Sequence, residues 1–435
     1  MKSDQALADV AIIGGGFSGT MVAAQAVRRG LKVVLIEGGG RAGQGTAYST
    51  RDAVHLLNVP AAKMSAWSDR PADLVETGFE AGEFIPRRDY GRYLQHILTA
   101  AIADGLTLFE TRAAAARRNG NWLLNLDNGD QVRARTVVLA HGNQPPLPLS
   151  VSEGIDSSRF VNNPWGAEAR AAIERCVRER GDVLVLGTGL TMVDMVLSLC
   201  AAGFQGRIIA VSRRGQVPHA HAAHEPVVVD RDEVPKGICA LFDWMREQSA
   251  RFGWRGVVDA LRPHAQSVWR SLEQDEQERF LRHARPYWDV HRHRIAPQVA
   301  AQLSGRINTG RLEIVAGRLR AVRDKGAAIE VEIARRGDAG PPVIERVGAV
   351  FNCTGPLGAI GRTSDPLLRQ MLDEGLIAVD HLGIGMAVDA GSKAGERLWA
   401  LGPLTKGAFW EIVAVPDIRG QVASVADAIA EELAR

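Results

Sequence analysis

Two glycine-rich turns, each placed between an apolar strand and the start of a helix, constrain the fold of this chain most strongly. The first lies in VAIIGGGFSGTMVAAQA, where Gly14-x-Gly16-x-x-Gly19 joins four apolar residues to small and apolar residues at helical spacing. The first glycine permits a tight turn, the second lets the backbone approach a pyrophosphate, and the third lets the helix pack closely on the sheet. The pattern predicts a dinucleotide-binding α/β unit, with the phosphates at the helix N-terminus.

The strand after the first turn indicates which nucleotide this unit binds. KVVLIE ends in Glu37, and a carboxylate at this position accepts hydrogen bonds from a ribose diol. Strand, glycines, helix, second strand and terminal acid thus occur in the expected order, which is much more specific than the glycines alone. We therefore predict that the first unit binds FAD.

The second glycine-rich unit has different residues at the end of its second strand. VLVLGTGLTMVDMVLSL keeps Gly187 and Gly189 but has a methionine in place of the third glycine. Alignment of the second strands puts Ser212 where the first unit has its acid, followed by Arg213 and Arg214. Adjacent guanidinium groups can bind a 2′-phosphate that an acid would repel, so the second unit is predicted to bind NADPH. The alternative is that both arginines only solvate a surface loop.

The composition argues against some classes of partner and location but does not identify the function. The chain has 435 residues, 46% hydrophobic and 23% charged, with a formal net charge of +2, values typical of a globular protein with two or three domains. The small net charge gives no reason to expect nucleic acid as a partner. No apolar run approaches the length of a membrane helix, and MKSDQALADV does not resemble a signal segment. We therefore expect a cytoplasmic protein without membrane contact.

The cysteines argue against one class of flavoprotein. Cys176, Cys200, Cys239 and Cys353 are scattered, with no C-x-x-C pair. Disulfide reductases also combine two dinucleotide units, but they need a redox dithiol. The chain is therefore not expected to work as a disulfide reductase.

The order of patterns predicts one domain interrupted by another. We expect an FAD domain in residues 1–165, an NADPH domain in 166–309 and the rest of the FAD domain in 310–435. A helical insert is expected at about 216–300, where Arg, His and Trp are frequent. The predicted fold class is thus α/β, with two Rossmann-like domains and the NADPH domain inserted into the FAD domain.

Several longer segments resemble a known family. These are GQGTAYSTRDAVHLLNVPAAKMSAW, FIPRRDYGRYL, LGTGLTMVDMVLSL, RPYWDVHRHRIAP and PLTKGAFWEIVAVPDIRGQ, together with TVVLAHGN and FNCTG. They look like the two-dinucleotide-domain flavoproteins, in particular the FAD/NAD(P)-binding family that includes a bacterial FAD-dependent urate hydroxylase. The resemblance covers essentially the whole chain and does not specify a substrate.

The resemblance implies a flavoprotein monooxygenase. NADPH would reduce FAD, O₂ would form a C4a-(hydro)peroxyflavin, and one oxygen atom would pass to a small substrate such as urate, another nitrogen heterocycle or an amine. Two alternatives are a flavin-dependent reductase that passes electrons to a small acceptor, and a non-catalytic FAD- and NADPH-binding protein. Whether the chain forms a homo-oligomer is left open.

Candidate site residues follow from the motifs. The residues expected beside the reacting flavin ring are His55, Asn58, Trp410 and Glu411, with a structural, hydrogen-bonded role as the alternative for the histidine. The residues expected to contact the cofactors are Gly14, Gly16, Phe17, Ser18, Gly19, Glu37, Gly45, Tyr48, Met64, Gly142, Gly187, Gly189, Leu190, Thr191, Ser212, Arg213, Arg214, Gly355 and Gly402. Met64 could instead fill the core. Pro403 stands where related flavoproteins have an aspartate for the ribityl chain, which is a departure from the family pattern.

Two clusters have alternative interpretations. His219, His221 and His224 could supply ligands to a metal, but their spacing matches no regular face, and no metal site is predicted. His291-Arg292-His293-Arg294 could bind an anion; a solvated face or an internal salt bridge is the competing interpretation.

Overall fold

Two sheets with parallel strands at their centres organise the chain. The computed structural model describes residues 7–153, 155 and 158–435. Met1–Ala6, which form most of the segment used to judge a leader peptide, lie outside the described residues. The strands are β1 Ala8–Ile13, β2 Val33–Ile36, β3 Thr107–Phe109, β4 Ala113–Asn119, β5 Asn121–Leu126, β6 Gln131–Leu139, β7 Phe160–Val161, β8 Val183–Leu186, β9 Ile208–Ser212, β10 Leu312–Asp324, β11 Ile329–Arg335, β12 Val343–Val347, β13 Ala349–Asn352, β14 Lys393–Gly395 and β15 Leu398–Ala400.

Helices cover both sheets and form the insert. They are α1 Phe17–Arg28, α2 Gly45–Tyr48, α3 Arg87–Ala103, α4 Ala167–Glu179, α5 Leu190–Ala201, α6 Ile238–Phe252, α7 Trp254–Leu261, α8 Ala265–Ser271, α9 Gln274–Arg279, α10 Arg285–Arg292, α11 Pro297–Asn308, α12 Pro366–Asp373 and α13 Val415–Ala434.

The first sheet has the order β14-β15-β6-β1-β2-β3, with the β4–β5 hairpin attached to β6. Its central neighbours are parallel, which puts the carboxyl ends of β15, β6, β1 and β2 along one edge. Because alternate side chains of a strand point to opposite faces, Val10 and Ile12 pack with α1, α3 and α13, whereas Ala11 and Ile13 pack with β5 and α12. Both faces of the sheet are therefore buried.

The second sheet has the order β12-β11-β10-β9-β8-β13-β7. Strands β10, β9, β8, β13 and β7 are parallel neighbours, and β11 and β12 extend the sheet in antiparallel fashion. The predicted boundary at residue 310 falls before β10, yet β10 pairs with β9 of the same sheet. The chain returns to the first sheet only after Asn352. An apolar run predicts a strand but not its pairing partner, which is why the pattern did not reveal this arrangement.

The insert and the last helix complete the fold. Helices α6–α10 lie in the region predicted as a helical insert, and they contribute most residues of two small apolar clusters. Helix α13 begins with a proline at its second residue, Pro416, a position where proline costs no helical hydrogen bond. Its Val422, Val425, Ile429 and Leu433 are buried against α1 in the first core. Among the described helices, none combines the length and apolarity that spanning a membrane requires.

Candidate active site

The first glycine turn leaves no room for a side chain at two of its three motif glycines, Gly14 and Gly19. Gly14 has φ of +103°, and a methyl group there would overlap the carbonyl oxygen of Ala140 at the end of β6. A methyl group at Gly19 would overlap the Gly14 carbonyl oxygen, so α1 lies directly on the turn. Gly16 faces Gly45, where an added Cβ would lie 2.8 Å from the Gly16 Cα atom. Four predicted glycines thus form one continuous backbone cradle.

Glu37 holds this cradle from the end of β2. One carboxylate oxygen accepts a hydrogen bond from the Gly15 N–H at 2.6 Å and the other accepts from the Gly39 N–H at 2.6 Å. The side chain is partly exposed, so its remaining lone pairs can accept ribose hydroxyls. Helix α1 has neither a side-chain cap nor an acidic residue in its first turn. Its N-terminal N–H groups can therefore receive a phosphate, and the residues present fit FAD at this turn.

The second turn repeats this geometry with different side chains. Gly187 has φ of +105°, and a methyl group there would overlap the carbonyl oxygen of Cys353. Gly189 has nothing within 4 Å of an added Cβ among the described atoms, which leaves open space at the N-terminus of α5. The Thr188 hydroxyl lies 2.8 Å from the Ser212 hydroxyl. Thr188 was not among the residues predicted to contact the cofactors, although it occupies the position of Gly15 in the first unit.

The pairing of Thr188 with Ser212 corresponds to the pairing of Gly15 with Glu37. In both units the middle residue of the turn is tied to the residue that ends the second strand. Thr188 also bonds to the Gln216 carbonyl oxygen, and Ser212 accepts from the Gly215 N–H at 3.0 Å. These bonds fix the loop that begins with the two arginines, and the residues present fit a second dinucleotide.

The two predicted arginines differ in their surroundings. Arg213 is exposed, whereas Arg214 is half-buried and its guanidinium carbon lies 5.1 Å from the centre of the Tyr287 ring. Tyr287 belongs to α10 of the insert. Cation–π contact at this distance limits the positions of the Arg214 side chain. One arginine is thus held beside the insert, and the other can reach into solvent beside the turn.

Gly402 brings the end of the last strand of the first sheet to α1. Its φ is +65°, and an added Cβ would lie 2.8 Å from the Ser18 hydroxyl oxygen. The Gly402 N–H donates to the Gln421 side chain at 2.8 Å, and Gln421 donates to Thr405 at 3.1 Å. Pro403, at the position where an aspartate was expected from the resemblance, lies in the short 3₁₀ helix Gly402–Thr405. Close backbone approach is therefore retained at this position, whereas a carboxylate is not.

His55 joins the first domain to the helix of the second turn. Its Nδ1 lies 2.7 Å from the Thr50 hydroxyl, and its Nε2 lies 2.9 Å from the Ser198 hydroxyl and 3.1 Å from the Asp194 carbonyl oxygen. The Ser198 hydroxyl in turn donates to Asp52 at 3.0 Å. The histidine is only 3% exposed. Because both ring nitrogens have protein partners, this arrangement favours the structural role that was the alternative at sequence level.

Asn58 contacts the region predicted as the insert through its backbone. Its carbonyl oxygen is 2.9 Å from the His221 Nε2 atom, and its side chain is partly exposed. Burial lowers the pKa of His221, while the contact with the Asn58 carbonyl raises it. The backbone of Asn58 therefore holds the His221 ring in place.

Trp410 packs in an aromatic cluster of the insert. It stacks on Trp269 with ring centres 4.8 Å apart, and Phe280 meets it edge-on at 5.3 Å. The neighbouring cavity of about 50 Å³ is lined by apolar and aromatic side chains of the insert and by Trp410. Such a cavity is too small for a benzene ring, which occupies engineered cavities of roughly 150 Å³.

Glu411 is buried and contacts several side chains of α10 and the residue after it. Its carboxylate accepts from the Trp288 indole N–H at 2.8 Å, forms an ion pair with Arg292 at 3.0 Å and lies 3.6 Å from His293. Burial would raise the pKa of Glu411, but His293, Arg292 and the Trp288 N–H together lower it to about 2. Its φ of +69° is a strained value for a residue with a side chain. The predicted catalytic carboxylate therefore holds the insert against the segment before α13.

The basic and histidine-rich clusters are also engaged internally. Arg292 and Arg294 are 8% and 4% exposed and pair with Glu411 and Asp259 respectively. The internal salt bridge, one of the two competing interpretations, is thus what the structure shows. His219 packs against Trp254 and His291. In the described part of the chain, no group of three or more potential ligands is arranged to hold a metal ion.

The remaining predicted residues fall into two sets. Phe17 and Met64 are buried in the first core, and Tyr48 packs edge-on against Tyr90 at 4.7 Å. Burial raises the pKa of Tyr48 to about 12. The other set lies after the carboxyl ends of strands or at the start of α5. Its two glycines, Gly142 and Gly355, both have positive φ. Its members are Gly142, Gly355, Leu190 and Thr191.

Comparison with known proteins gives three kinds of match. Residues 11–144 match a protein-family model described as FAD-NAD(P)-binding. The Baeyer-Villiger monooxygenase ATR8 of Stachybotrys chlorohalonatus (strain IBT 40285) is 30% identical over 208 residues, which are 44% of this chain and 31% of that protein. Pentalenolactone D synthase of Streptomyces exfoliatus is 29% identical over 234 residues, 48% of this chain and 38% of that protein. The chain thus spans about a third of the length of these relatives.

A solved structure resembles the whole chain. Ornithine N-hydroxylase KtzI of Kutzneria sp. 744 is 15% identical, with a TM-score of 0.69 over 98% of this chain and 100% of that one. At this identity the likeness shows the fold alone. It confirms the predicted fold class, and the matched family agrees with the prediction of FAD and a nicotinamide dinucleotide as cofactors. The chain therefore has the two-domain fold of FAD- and NAD(P)-binding flavoproteins, and its first dinucleotide unit matches their FAD-NAD(P)-binding family.

Proposed function

We propose that this chain is an NADPH-dependent flavoprotein monooxygenase that hydroxylates a small organic substrate. The observation that carries the proposal is the pair of similar glycine turns with different chemistry at the ends of the second strands. Glu37 ends one strand, whereas Ser212 and two arginines end the other. An acid suits a ribose diol and adjacent arginines suit a 2′-phosphate, so the two turns can bind different nucleotides.

The protein's part in this chemistry is to bind, orient and exclude water. Bound FAD would supply hydride acceptance from NADPH and, in its reduced form, reaction with O₂. The cradle of Gly14, Gly16, Gly19 and Gly45 would hold the first pyrophosphate, and Glu37 its ribose. We also propose that the two sheets correspond to the two nucleotide domains, with the second domain inserted into the first.

The relatives support the choice of monooxygenation over simple electron transfer. Two of the curated relatives carry Baeyer-Villiger monooxygenase in their names, and a third is named an FAD-binding monooxygenase. The structural neighbours include an ornithine N-hydroxylase and an L-lysine 6-monooxygenase. Our substrate candidates are a nitrogen heterocycle such as urate and an amine.

Spectroscopy with substrate screening tests the function. The purified protein should show a flavin absorbance band that NADPH bleaches without oxygen and that aerated buffer restores. With urate, L-ornithine or L-lysine as the substrate, one O₂ should be consumed per NADPH, and one product should gain a single oxygen atom by mass spectrometry. Restoration of the band with full release of H₂O₂ for every substrate, but fast reduction of a quinone, would identify a reductase instead. A protein that binds no flavin would contradict the proposal.

Replacing the two arginines should change the preference between nicotinamide cofactors. Arg213→Ala and Arg214→Ala should raise the KM for NADPH about 10-fold or more and leave that for NADH nearly unchanged, because each removes a charge-assisted hydrogen bond to the 2′-phosphate. Steady-state oxidation of both cofactors measures the effect. Arg133→Ala, an exposed arginine on β6 of the first sheet, serves as the control for lost charge. Equal effects on both cofactors would assign the arginines to the protein surface.

A further inference from the structure

A small recess lies between the two glycine turns. It has a volume of about 10 Å³ and is lined by residues 142–144, Leu357, Gly385, Pro403, Leu404 and Lys406, among others. A volume of this size holds about one water molecule. The recess can therefore receive a single oxygen atom of a larger ligand, but not the ligand itself.

The chain path places this recess beside both nucleotide sites. Residues 142–144 follow Ala140, whose carbonyl oxygen lies against Gly14 of the first turn. Leu357 follows Cys353, whose carbonyl oxygen lies against Gly187 of the second turn. The third wall comes from the segment 403–406, which continues from the last strand of the first sheet. The recess is thus formed where the two crossings between the sheets meet the end of β15.

Lys406 supplies the positive charge of the recess. Its ammonium donates to the Leu357 carbonyl oxygen at 3.2 Å. An ammonium group has three N–H donors. Among the described residues, the Leu357 carbonyl oxygen is the one acceptor bonded to the Lys406 ammonium. Two donors remain for an acceptor in the recess.

Charges around Lys406 come from two neighbouring segments. Burial is the largest influence and lowers the pKa of Lys406, Arg285 of α10 lowers it further, and Asp380 raises it, which leaves the pKa at about 8. Asp380 is itself buried, and one of its oxygens accepts from the N–H groups of Leu382 and Ile384 at 3.0 and 3.1 Å. Lys406 is therefore a desolvated cation near a carboxylate that the backbone holds in place.

We propose that Lys406 donates a hydrogen bond to the carbonyl oxygen of a ring that binds between the two nucleotide turns. This inference rests on the proposed function, which puts a flavin at the first turn. Two rings carry the required chemistry: the pyrimidine part of the flavin and a carbonyl-bearing substrate such as urate. A hydrogen bond from a cation favours an oxygen that carries partial or full negative charge. If the ring is the flavin, Lys406 stabilises its reduced, anionic form.

Lys406→Met tests the inference because it keeps an unbranched side chain only one atom shorter and removes the donor. Lys406→Gln keeps a neutral donor, and Lys325→Met removes an exposed lysine from the β10–β11 turn as the control. Three quantities are measured for each variant: the Kd of the apoprotein for FAD, the midpoint potential of bound FAD, and the KM for urate during NADPH oxidation.

The two sources of the carbonyl oxygen give different results. If the oxygen belongs to the flavin, Lys406→Met should weaken FAD binding about 10-fold or lower the midpoint potential, and Lys406→Gln should lie in between. If it belongs to the substrate, FAD binding and potential should stay the same while the KM for urate rises about 10-fold. Equal values for Lys406→Met, Lys325→Met and the wild type in all three measurements would overturn the inference, and the recess would then hold a water molecule only. A wild-type protein without flavin would remove the proposed function and this inference together.

The pH dependence of binding gives an independent readout. The ligand binds the protonated form of Lys406, so the Kd of the affected ligand should rise as the pH increases above about 8. Arg285→Met removes a charge that lowers this pKa, so the rise should begin at higher pH. Lys406→Met should show no such rise. A rise that persists in Lys406→Met would assign the titration to another group and contradict the inference.

Discussion

Replacement of Gly19 by alanine should release FAD from the purified protein and lower the stability of the first domain by about 2 kcal/mol or more. The added methyl group would overlap the Gly14 carbonyl oxygen. Neither the Cα atom that carries the methyl group nor the Gly14 carbonyl can move without moving the backbone. Helix α1 must therefore move away from the sheet, and the cradle must open. The flavin-to-protein absorbance ratio and the first unfolding transition in urea measure the two effects.

Gly189→Ala is the matched control for this substitution. It also adds one methyl group to a glycine turn, but nothing among the described atoms lies within 4 Å of that group. Stability and flavin content should therefore stay near the wild-type values, with changes within about 0.5 kcal/mol, while the affinity for NADPH falls. If Gly19→Ala kept its flavin and its stability, the close packing of α1 on the turn would be wrong.

Arg87→Ala should make the two domains unfold in separate transitions. It should lower the free energy of unfolding by about 3–5 kcal/mol, because it leaves a buried carboxylate without its partner. The Arg87 guanidinium donates to both oxygens of Asp194 at 2.8 and 3.1 Å, and the two side chains are 13% and 6% exposed. Arg87 lies on α3 of the first domain and Asp194 on α5 of the second. Calorimetry should show two resolved transitions in the variant where the wild type shows a more cooperative one.

A second arginine of α3 provides the comparison. Arg92 pairs with Asp89 at 2.6 Å, but its side chain is 65% exposed, so Arg92→Ala should cost less than about 1 kcal/mol. The double variant Arg87→Ala/Asp194→Ala should lose less unfolding free energy than the two single variants together, since it leaves no buried charge without a partner. Additive losses would show that the ion pair does not couple the domains.

The sequence predicted those features that depend on residues adjacent in the chain. Both glycine turns and the strands before them follow from local patterns that the backbone must obey. The analogy between Glu37 and Ser212 also came from aligning short segments, and the structure adds that each is tied to the middle residue of its turn. Thr188 was missed because a threonine between two glycines has no distinctive signal until its partner is known.

Long-range pairing explains what the sequence did not predict. The predicted boundary at residue 310 separates β10 from its partner β9, because that strand lies about a hundred residues earlier in the chain. His55 and Glu411 were chosen for their positions in motifs, yet their partners come from α5 and α10. A titratable side chain can equally serve a site or a packing contact, and the choice depends on neighbours that are distant in sequence.

The contacts of α5 impose a rule on the construction of chimeric enzymes. One face of this helix carries Asp194 and Ser198, which bond to Arg87 and His55 of the first domain. A second domain transplanted from another flavoprotein, for example to alter the choice of nicotinamide cofactor, would meet this arginine and this histidine without their partners. A functional graft therefore has to carry the residues at 55 and 87 along with the helix, although they lie outside the transplanted segment.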